Sequence, residues 1–495
     1  MKTRDNSFLL RWISLLFITT AAVLTILQLV NYSRLRNNYP PGLSIAGVPV
    51  GGITPNEASQ RLLAVYGAPV ELRYNDAVIL LDPTLAGFEL DMESMLAAAD
   101  LQRTSSSFWG GFWDYLWNRQ SQTIDIPLRA RLSEDLLRAY LRDEIAARYD
   151  KPATPAQPIP GEAGFTPGEP GQELDIERAV QLIDDALRSP TNRTVSLSYV
   201  RTSQARPSLD NLRILIEQII TLNKFTGVVS FYMRDLQTGE KLQFLFANGI
   251  EYPTEPDLAF SASSTIKIPI MITYYTRFGP LLDEEQIAQV RAMIDRSENP
   301  PADALMEAID SVRGPLVVTE VMEQLGYKNT FLAGYFYPGA PLLKVYKTPG
   351  NSRTEPFTSP DSYNQTTAAE MGALFEDLYQ CAQFGGGALV AAFPGKINQG
   401  SCIQMIDILK ANRIGVLIEA GLPEGTQLAH KHGWVSDNFG VIRDISDVGI
   451  IYSPGGTYIL SVYANDPVQI VWEQGSVMIT QISQVVYNYF NLPTQ

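Results

Sequence analysis

The chain has 495 residues, about three domains' worth at roughly 150 residues each. Apolar residues make up 45% and charged residues 18%, which excludes a solvated, highly charged disordered polymer. Lys and Arg number 38 against 53 Asp and Glu, for a net charge of −15, so a general nucleic-acid binder is excluded: a phosphate backbone needs cations to neutralise it. With two cysteines and only His430 and His432, a disulfide scaffold, a four-thiolate zinc site and a His-rich metal cluster are excluded too. In chain order, the first element is an apolar run without a charge from Trp12 to Val30. As a helix it covers about 28 Å, close to the hydrocarbon thickness of a bilayer. Lys2, Arg4 and Arg11 precede it and Arg34 and Arg36 follow it, so the charge bias sets orientation weakly. A single membrane span at residues 12–30, within an anchor at 1–36, is expected; a cleaved signal peptide is the alternative.

After the stiff Tyr39-Pro40-Pro41-Gly42 exit, Leu43 to Val50 reads as a strand ending at Gly51-Gly52. Thr54-Pro55-Asn56-Glu57 opens a helix, with Thr54 as cap, Pro55 in the first turn and Glu57 completing a capping box. Val70 to Leu81 reads as paired strands around Asn75-Asp76. Glu89-Leu90-Asp91-Met92-Glu93 starts a further helix, and Glu173-Leu174-Asp175-Ile176-Glu177 nearly repeats it. The expected organisation is two related α+β units within 41–205, with the Pro- and Gly-rich 151–171 as a loop of the second. Ile45-Ala46-Gly47-Val48, Gly51 to Ala58 and Pro167 to Asp175 resemble the peptidoglycan-binding domains that accompany VanW-like modules in exported bacterial proteins. The resemblance implies peptidoglycan as partner and carries over no binding residue.

From Ser208 to Leu222 the pattern is helical, and 227–246 reads as a hairpin around Thr238-Gly239. Ser264 and Lys267 then lie three apart in Ser263-Ser264-Thr265-Ile266-Lys267, so a helix starting there puts both on one side. A serine hydroxyl needs a base to become a nucleophile, and a lysine depressed by burial supplies one. A capping serine beside a solvated lysine is the other reading of this spacing alone. Ser297-Glu298-Asn299 follows about thirty residues on, and Lys431-His432-Gly433 lies near the end.

In that order the three motifs resemble S-x-x-K, S-D-N and K-T-G of class A β-lactamases and penicillin-binding proteins. The resemblance covers about 208–492, with Asp235 to Gly239, Thr366-Thr367 before a helix and the final strands from Val448 to Ala464 as further matches. It implies an α+β fold, an antiparallel sheet flanked by helices with an all-helical subdomain, in a hydrolase domain at 206–495. It implies acylation of Ser264 by a β-lactam or D-alanyl peptide, with Lys267 as base and Ser297 as relay to the leaving nitrogen. Asn299, Lys431, His432, Gly433 and Trp434 would bind substrate. Lys431 would attract its carboxylate, and the backbone N–H groups of Ser264 and Trp434 would form the oxyanion hole.

Two departures from the family pattern matter. His432 replaces the usual hydroxyl residue, either to donate to substrate or simply to pack beside Trp434. The deacylating glutamate of class A enzymes has no obvious counterpart: counting forward from Asn299 reaches Tyr335–Pro338, which holds no carboxylate, and counting back from Thr366 points to Glu355 or Asp361. Glu355 is the best-placed candidate for the base, with an exposed loop acid as the other reading, in which case the acyl-enzyme would persist as in penicillin-binding proteins. In an exported domain Cys381 and Cys402 are expected to form a disulfide, with two separate thiols as the alternative. The resemblance implies no metal or organic cofactor. Three functions follow: a membrane-anchored β-lactamase with its large C-terminal region extracytoplasmic, a D-Ala-D-Ala carboxypeptidase or transpeptidase, or a non-catalytic wall-binding protein.

Overall fold

The computed structural model describes residues 6–105, 107–119, 123–202, 205–437 and 439–492, with side chains from residue 10 onward. Lys2 and Arg4 of the N-terminal flank lie outside the described residues. The chain forms two compact units, 1–153 with 170–203, and 154–169 with 204–495.

The first unit opens with helix α1, Asn6–Leu35. Its segment Leu10–Leu35, 26 residues, is long and apolar enough to cross a membrane. The next stretch departs from the single strand expected over 43–50. Leu43–Ile45 and Val48–Pro49 are instead a tight hairpin, because Ala46 (φ 52°) and Gly47 (φ 74°) both take the left-handed conformation. The Tyr66 hydroxyl donates to the Ala46 carbonyl at 2.6 Å, and the Asp125 carboxylate accepts from the Gly47 N–H at 3.0 Å, which holds the bend. The helix Pro55–Tyr66 begins with the expected reciprocal box between Thr54 and Glu57. Val70–Tyr74 pairs with Ala77–Leu81 through the left-handed Asn75, and with Thr194–Ser196 in parallel. The two Glu-Leu-Asp segments do the same local job. Each ends a short strand, and Asp91 and Asp175 then cap helices by accepting from the N–H of Ser94 and Arg178. One further helix, α2 (Phe108–Leu116), is capped by Ser107.

In the second unit, helix α3 (Leu209–Leu222) is capped by Ser208 and precedes a six-stranded sheet. Its strands are β1 (Val228–Asp235), β2 (Lys241–Ala247), β3 (Ile250–Tyr252), β4 (Gln427–Ser436), β5 (Ile442–Ser453) and β6 (Gly456–Ile470). They are antiparallel throughout, in the order β3-β2-β1-β6-β5-β4, so chain ends meet mid-sheet and β4 forms an edge. Successive side chains of β1 alternate between two cores. Val229, Phe231 and Met233 face α3 and the last helix, Trp472–Phe490. Val228 and Tyr232 face the helical layer inserted between β3 and β4. That layer includes α4 (Lys267–Phe278), α5 (Asn299–Ile309), α6 (Ala368–Phe384) and α7 (Gln399–Ala411). This is the α+β arrangement of antiparallel sheet, flanking helices and helical insert expected above. A disulfide joins Cys381 at the end of α6 to Cys402 in the first turn of α7, both fully buried. Residues 154–169 belong to this unit: their hairpin brings Phe165 against Tyr489, and Asn488 donates to the Ala163 carbonyl.

Candidate active site

Ser264 sits on a 3₁₀ turn, Ser263–Ile266, that runs directly into α4. In 3₁₀ geometry residues three apart eclipse one another, which aligns Ser264 with Lys267. The turn is held from below by Thr265, whose hydroxyl lies 2.6 Å from the Ala262 carbonyl and 2.8 Å from the Tyr463 hydroxyl. Ser263 at φ 50° and Ser297 at φ 54° are both in the left-handed region, a cost of about 1–3 kcal/mol each that the surrounding packing sustains.

Lys267 is fully buried, and its Nζ has three close polar partners. These are Ser264 Oγ at 3.0 Å, the Ser297 carbonyl at 2.6 Å and Asn299 Oδ1 at 2.9 Å. Ser297 lies between helix Glu284–Asp295 and α5, and its Oγ accepts from Lys431 Nζ at 2.9 Å. Glu298 points the other way, exposed and paired with Arg296 at 2.7 Å. Ser264, Lys267, Ser297, Asn299 and Lys431 are therefore linked into one hydrogen-bonded cluster. Burial pushes the Lys267 ammonium down to about 8, partly offset by the carboxylates of Asp303 and Glu298. Burial, then the charge of Lys267, pushes Lys431 down to about 7.

Gly433 explains how β4 approaches the turn that carries Ser264. A Cβ there would lie 3.0 Å from the Ala262 carbonyl oxygen and 3.1 Å from Ser263 Cβ, so a larger residue would have to push the turn and the strand edge apart by a few tenths of an ångström. His432 and Trp434 leave β4 on the face opposite Lys431. The His432 ring stacks on Trp434 at 4.7 Å, with Nδ1 3.4 Å from Asn412 Nδ2, and Trp434 packs on Trp472. Burial first, then Lys431, pushes His432 down to about 2, so its imidazole is neutral. Neither side chain joins the Ser264 cluster. His430 forms a fully buried pair with Asp447, Nδ1 to Oδ1 at 2.9 Å, and its Nε2 lies 3.2 Å from the Asn412 carbonyl.

The expected deacylating base is not in the cluster. Glu355 is exposed, and its backbone carbonyl accepts from Arg353. Among the described residues no hydrogen bond connects it to Ser264, Lys267 or Ser297, because the loop around it is tied by Arg353 to the carbonyls of Pro253 and Pro256. Asp361 is engaged by the Tyr363 N–H and the Asn364 amide. Two residues to which the sequence assigned no role border Lys267 instead, one of them within the Tyr335–Pro338 segment reached by counting forward. The Phe336 ring centre lies 5.4 Å from Lys267 Nζ. Asp303, one turn beyond Asn299 on α5, accepts from the Phe336 N–H at 2.7 Å and so fixes that ring's backbone. The four-residue spacing of Asn299 and Asp303 was the available signal for a shared helix face.

Residues 288–490 match the model of the β-lactamase enzyme family. The matched stretch contains Ser297, Asn299 and Lys431 and begins after Ser264 and Lys267. No curated protein matches the chain. Among solved structures the chain is similar to PBP-A, at 19% identity over 58% of this chain and 99% of that one, with a TM-score of 0.40. It is also similar to an ancestral class A β-lactamase at 21% identity (55% and 97% covered, TM-score 0.38). The TLA-1 extended-spectrum β-lactamase is 17% identical (57% and 99% covered, TM-score 0.42).

Proposed function

We propose that the chain is a membrane-anchored serine hydrolase of the class A β-lactamase type, acylated at Ser264 by a β-lactam or D-alanyl peptide. The observation that carries this reading is the environment of Lys267 Nζ. A neutral amine has two hydrogens and one lone pair. The Ser297 carbonyl and Asn299 Oδ1 accept the two hydrogens, which leaves the lone pair for the Ser264 hydroxyl. Lys267 takes the Ser264 proton as Oγ attacks the substrate carbonyl. The N–H groups of Ser264 and Trp434 hold the oxyanion. As the C–N bond breaks, the Ser297 hydroxyl gives its proton to the leaving nitrogen and is reprotonated from the Lys267–Lys431 pair. Lys431 attracts the substrate carboxylate, and Asn299 also binds the substrate amide. Replacing Ser264 by Ala is expected to abolish labelling by a fluorescent penicillin; labelling that survives would remove Ser264 from its role.

Phe336 favours the peptidase form of this chemistry over rapid β-lactam turnover. The group over Lys267 is an aromatic ring, and the nearby Asp303 carboxylate is engaged by backbone N–H. Neither activates water on the acyl-enzyme, so the adduct is expected to persist as in a penicillin-binding carboxypeptidase or transpeptidase. A wall-binding protein without turnover is the outcome if no adduct forms.

The anchor reading assigns residues 12–30 to one membrane span, with the hydrolase domain 206–495 extracytoplasmic. The rest of the first unit, 41–153 with 170–203, then holds the enzyme at peptidoglycan. Co-sedimentation of the detergent-solubilised protein with purified peptidoglycan is expected, and its absence would remove that role.

A further inference from the structure

We infer that helix α2 is an interfacial element that seats three indoles in the headgroup region of the bilayer crossed by α1, an inference that rests on the anchor reading above. The helix packs its buried Phe112 side on α1. Tyr32 of α1 meets the rings of Phe108 at 5.5 Å, Phe112 at 5.6 Å and Tyr115 at 5.5 Å. The Tyr115 hydroxyl donates to Gln28 Oε1 at 3.0 Å. The outward stripe is Trp109, Trp113 and Trp117, four residues apart and so on one face, and they are 62%, 56% and 72% exposed. Three exposed indoles in one row form an apolar patch that a surface facing water alone does not account for.

The depth at which α2 meets α1 selects lipid as the occupant. The apolar segment Leu10–Leu35 has 26 residues, about 39 Å as a helix, and exceeds a hydrocarbon core of about 30 Å. The excess, about 9 Å or six residues, lets the last turns emerge, so, with Gln28 one turn below at the hydrocarbon edge, Tyr32 meets α2 in the interface. Indole rings partition there because one edge is apolar and the N–H remains wet. The Arg36 guanidinium over Phe108, at 5.3 Å, sits at the same level, where lipid phosphates are found. The tryptophan row is thus continuous with the membrane-facing surface of α1. It fixes how the first unit stands on the bilayer.

The test uses the full chain carrying Trp12→Phe, reconstituted into phosphatidylcholine vesicles with or without bromine on the shallow acyl carbons. Flotation comes first: a chain that does not float with vesicles overturns the anchor reading and this inference with it. For a chain that floats, tryptophan emission is expected to fall about twofold in brominated lipid, since three of its remaining indoles lie in the interface. Adding Trp109→Phe, Trp113→Phe and Trp117→Phe should remove most of that quenching. Floating protein with no bromine quenching and full quenching by aqueous iodide would overturn the inference while leaving the anchor intact. So would indoles shielded from both quenchers, which would place a protein partner on the row.

Discussion

Acylation requires one charge state of the lysine pair: Lys267 neutral to accept the Ser264 proton, Lys431 charged to hold the substrate carboxylate. With Lys267 near 8 and Lys431 near 7, the neutral fraction of Lys267 rises with pH while the charged fraction of Lys431 falls. Their product peaks at about pH 7.5 and is roughly twentyfold lower at pH 5.5. The rate of labelling by a fluorescent penicillin, measured from pH 5.5 to 9.5, should trace that bell, with limbs that belong to the pair. Lys431→Ala should lower the rate and remove the alkaline limb, leaving the acid limb of Lys267. Equal rates at pH 5.5 and 7.5 would refute Lys267 as the base. The same burial has a stability consequence. The folded-state value of Lys267 lies below its unfolded value of 10.5, so the unfolded chain binds the extra proton. The cost, on the order of 3 kcal/mol, is fully present below about pH 8 and fades as pH rises towards 10.5. Lys267→Met should abolish labelling at neutral pH yet raise Tm, less so because the Ser297 carbonyl and Asn299 lose a donor. A lower Tm would mean that those hydrogen bonds outweigh the desolvation.

Breaking the Cys381–Cys402 bond, which spans 21 positions, should cost about 3 kcal/mol in the chain-entropy account; thermal unfolding of Cys381→Ser/Cys402→Ser should therefore shift down by several degrees. Asp447→Ala leaves His430 Nδ1 and the Ile418 N–H buried without their acceptor, so urea unfolding should show a loss of at least about 1–3 kcal/mol, and a loss below about 0.5 kcal/mol would count against these contacts. Glu355→Gln should leave the lifetime of the acyl-enzyme unchanged by intact mass, because this side chain faces solvent; a lifetime that lengthens severalfold would restore it as the deacylating base.

The parts of the site that were legible are those fixed by short-range geometry. Three-residue spacing on a 3₁₀ turn aligns Ser264 with Lys267, and strand alternation separates Lys431 from His430 and His432. Capping chemistry likewise marked Thr54 as a helix start. What was not legible depends on backbone shape far from any regular period. The bend at Ala46 needs a non-glycine residue at positive φ, which Tyr66 and Asp125 hold from elsewhere in the unit. The segment that faces Lys267 is a long irregular stretch between Leu332 and Asn364; counting forward from Asn299 reached it at Tyr335–Pro338, and the search for a carboxylate moved the choice on to Glu355. The structure brings Phe336 of that counted segment to the lysine, with its N–H held by Asp303, a contact that no count anticipates. The association of 154–169 with the second unit has the same origin, in contacts with Tyr489 and Asn488 more than 300 positions away.

Intact mass of the protein with penicillin G, followed over hours beside Ser264→Ala, tests the central claim most directly. The account predicts one adduct of penicillin mass on the parent, absent from the variant and still present after the free drug is removed. A parent that never gains the adduct would contradict acylation at Ser264, and an adduct that clears within seconds would contradict Phe336 as the reason it persists.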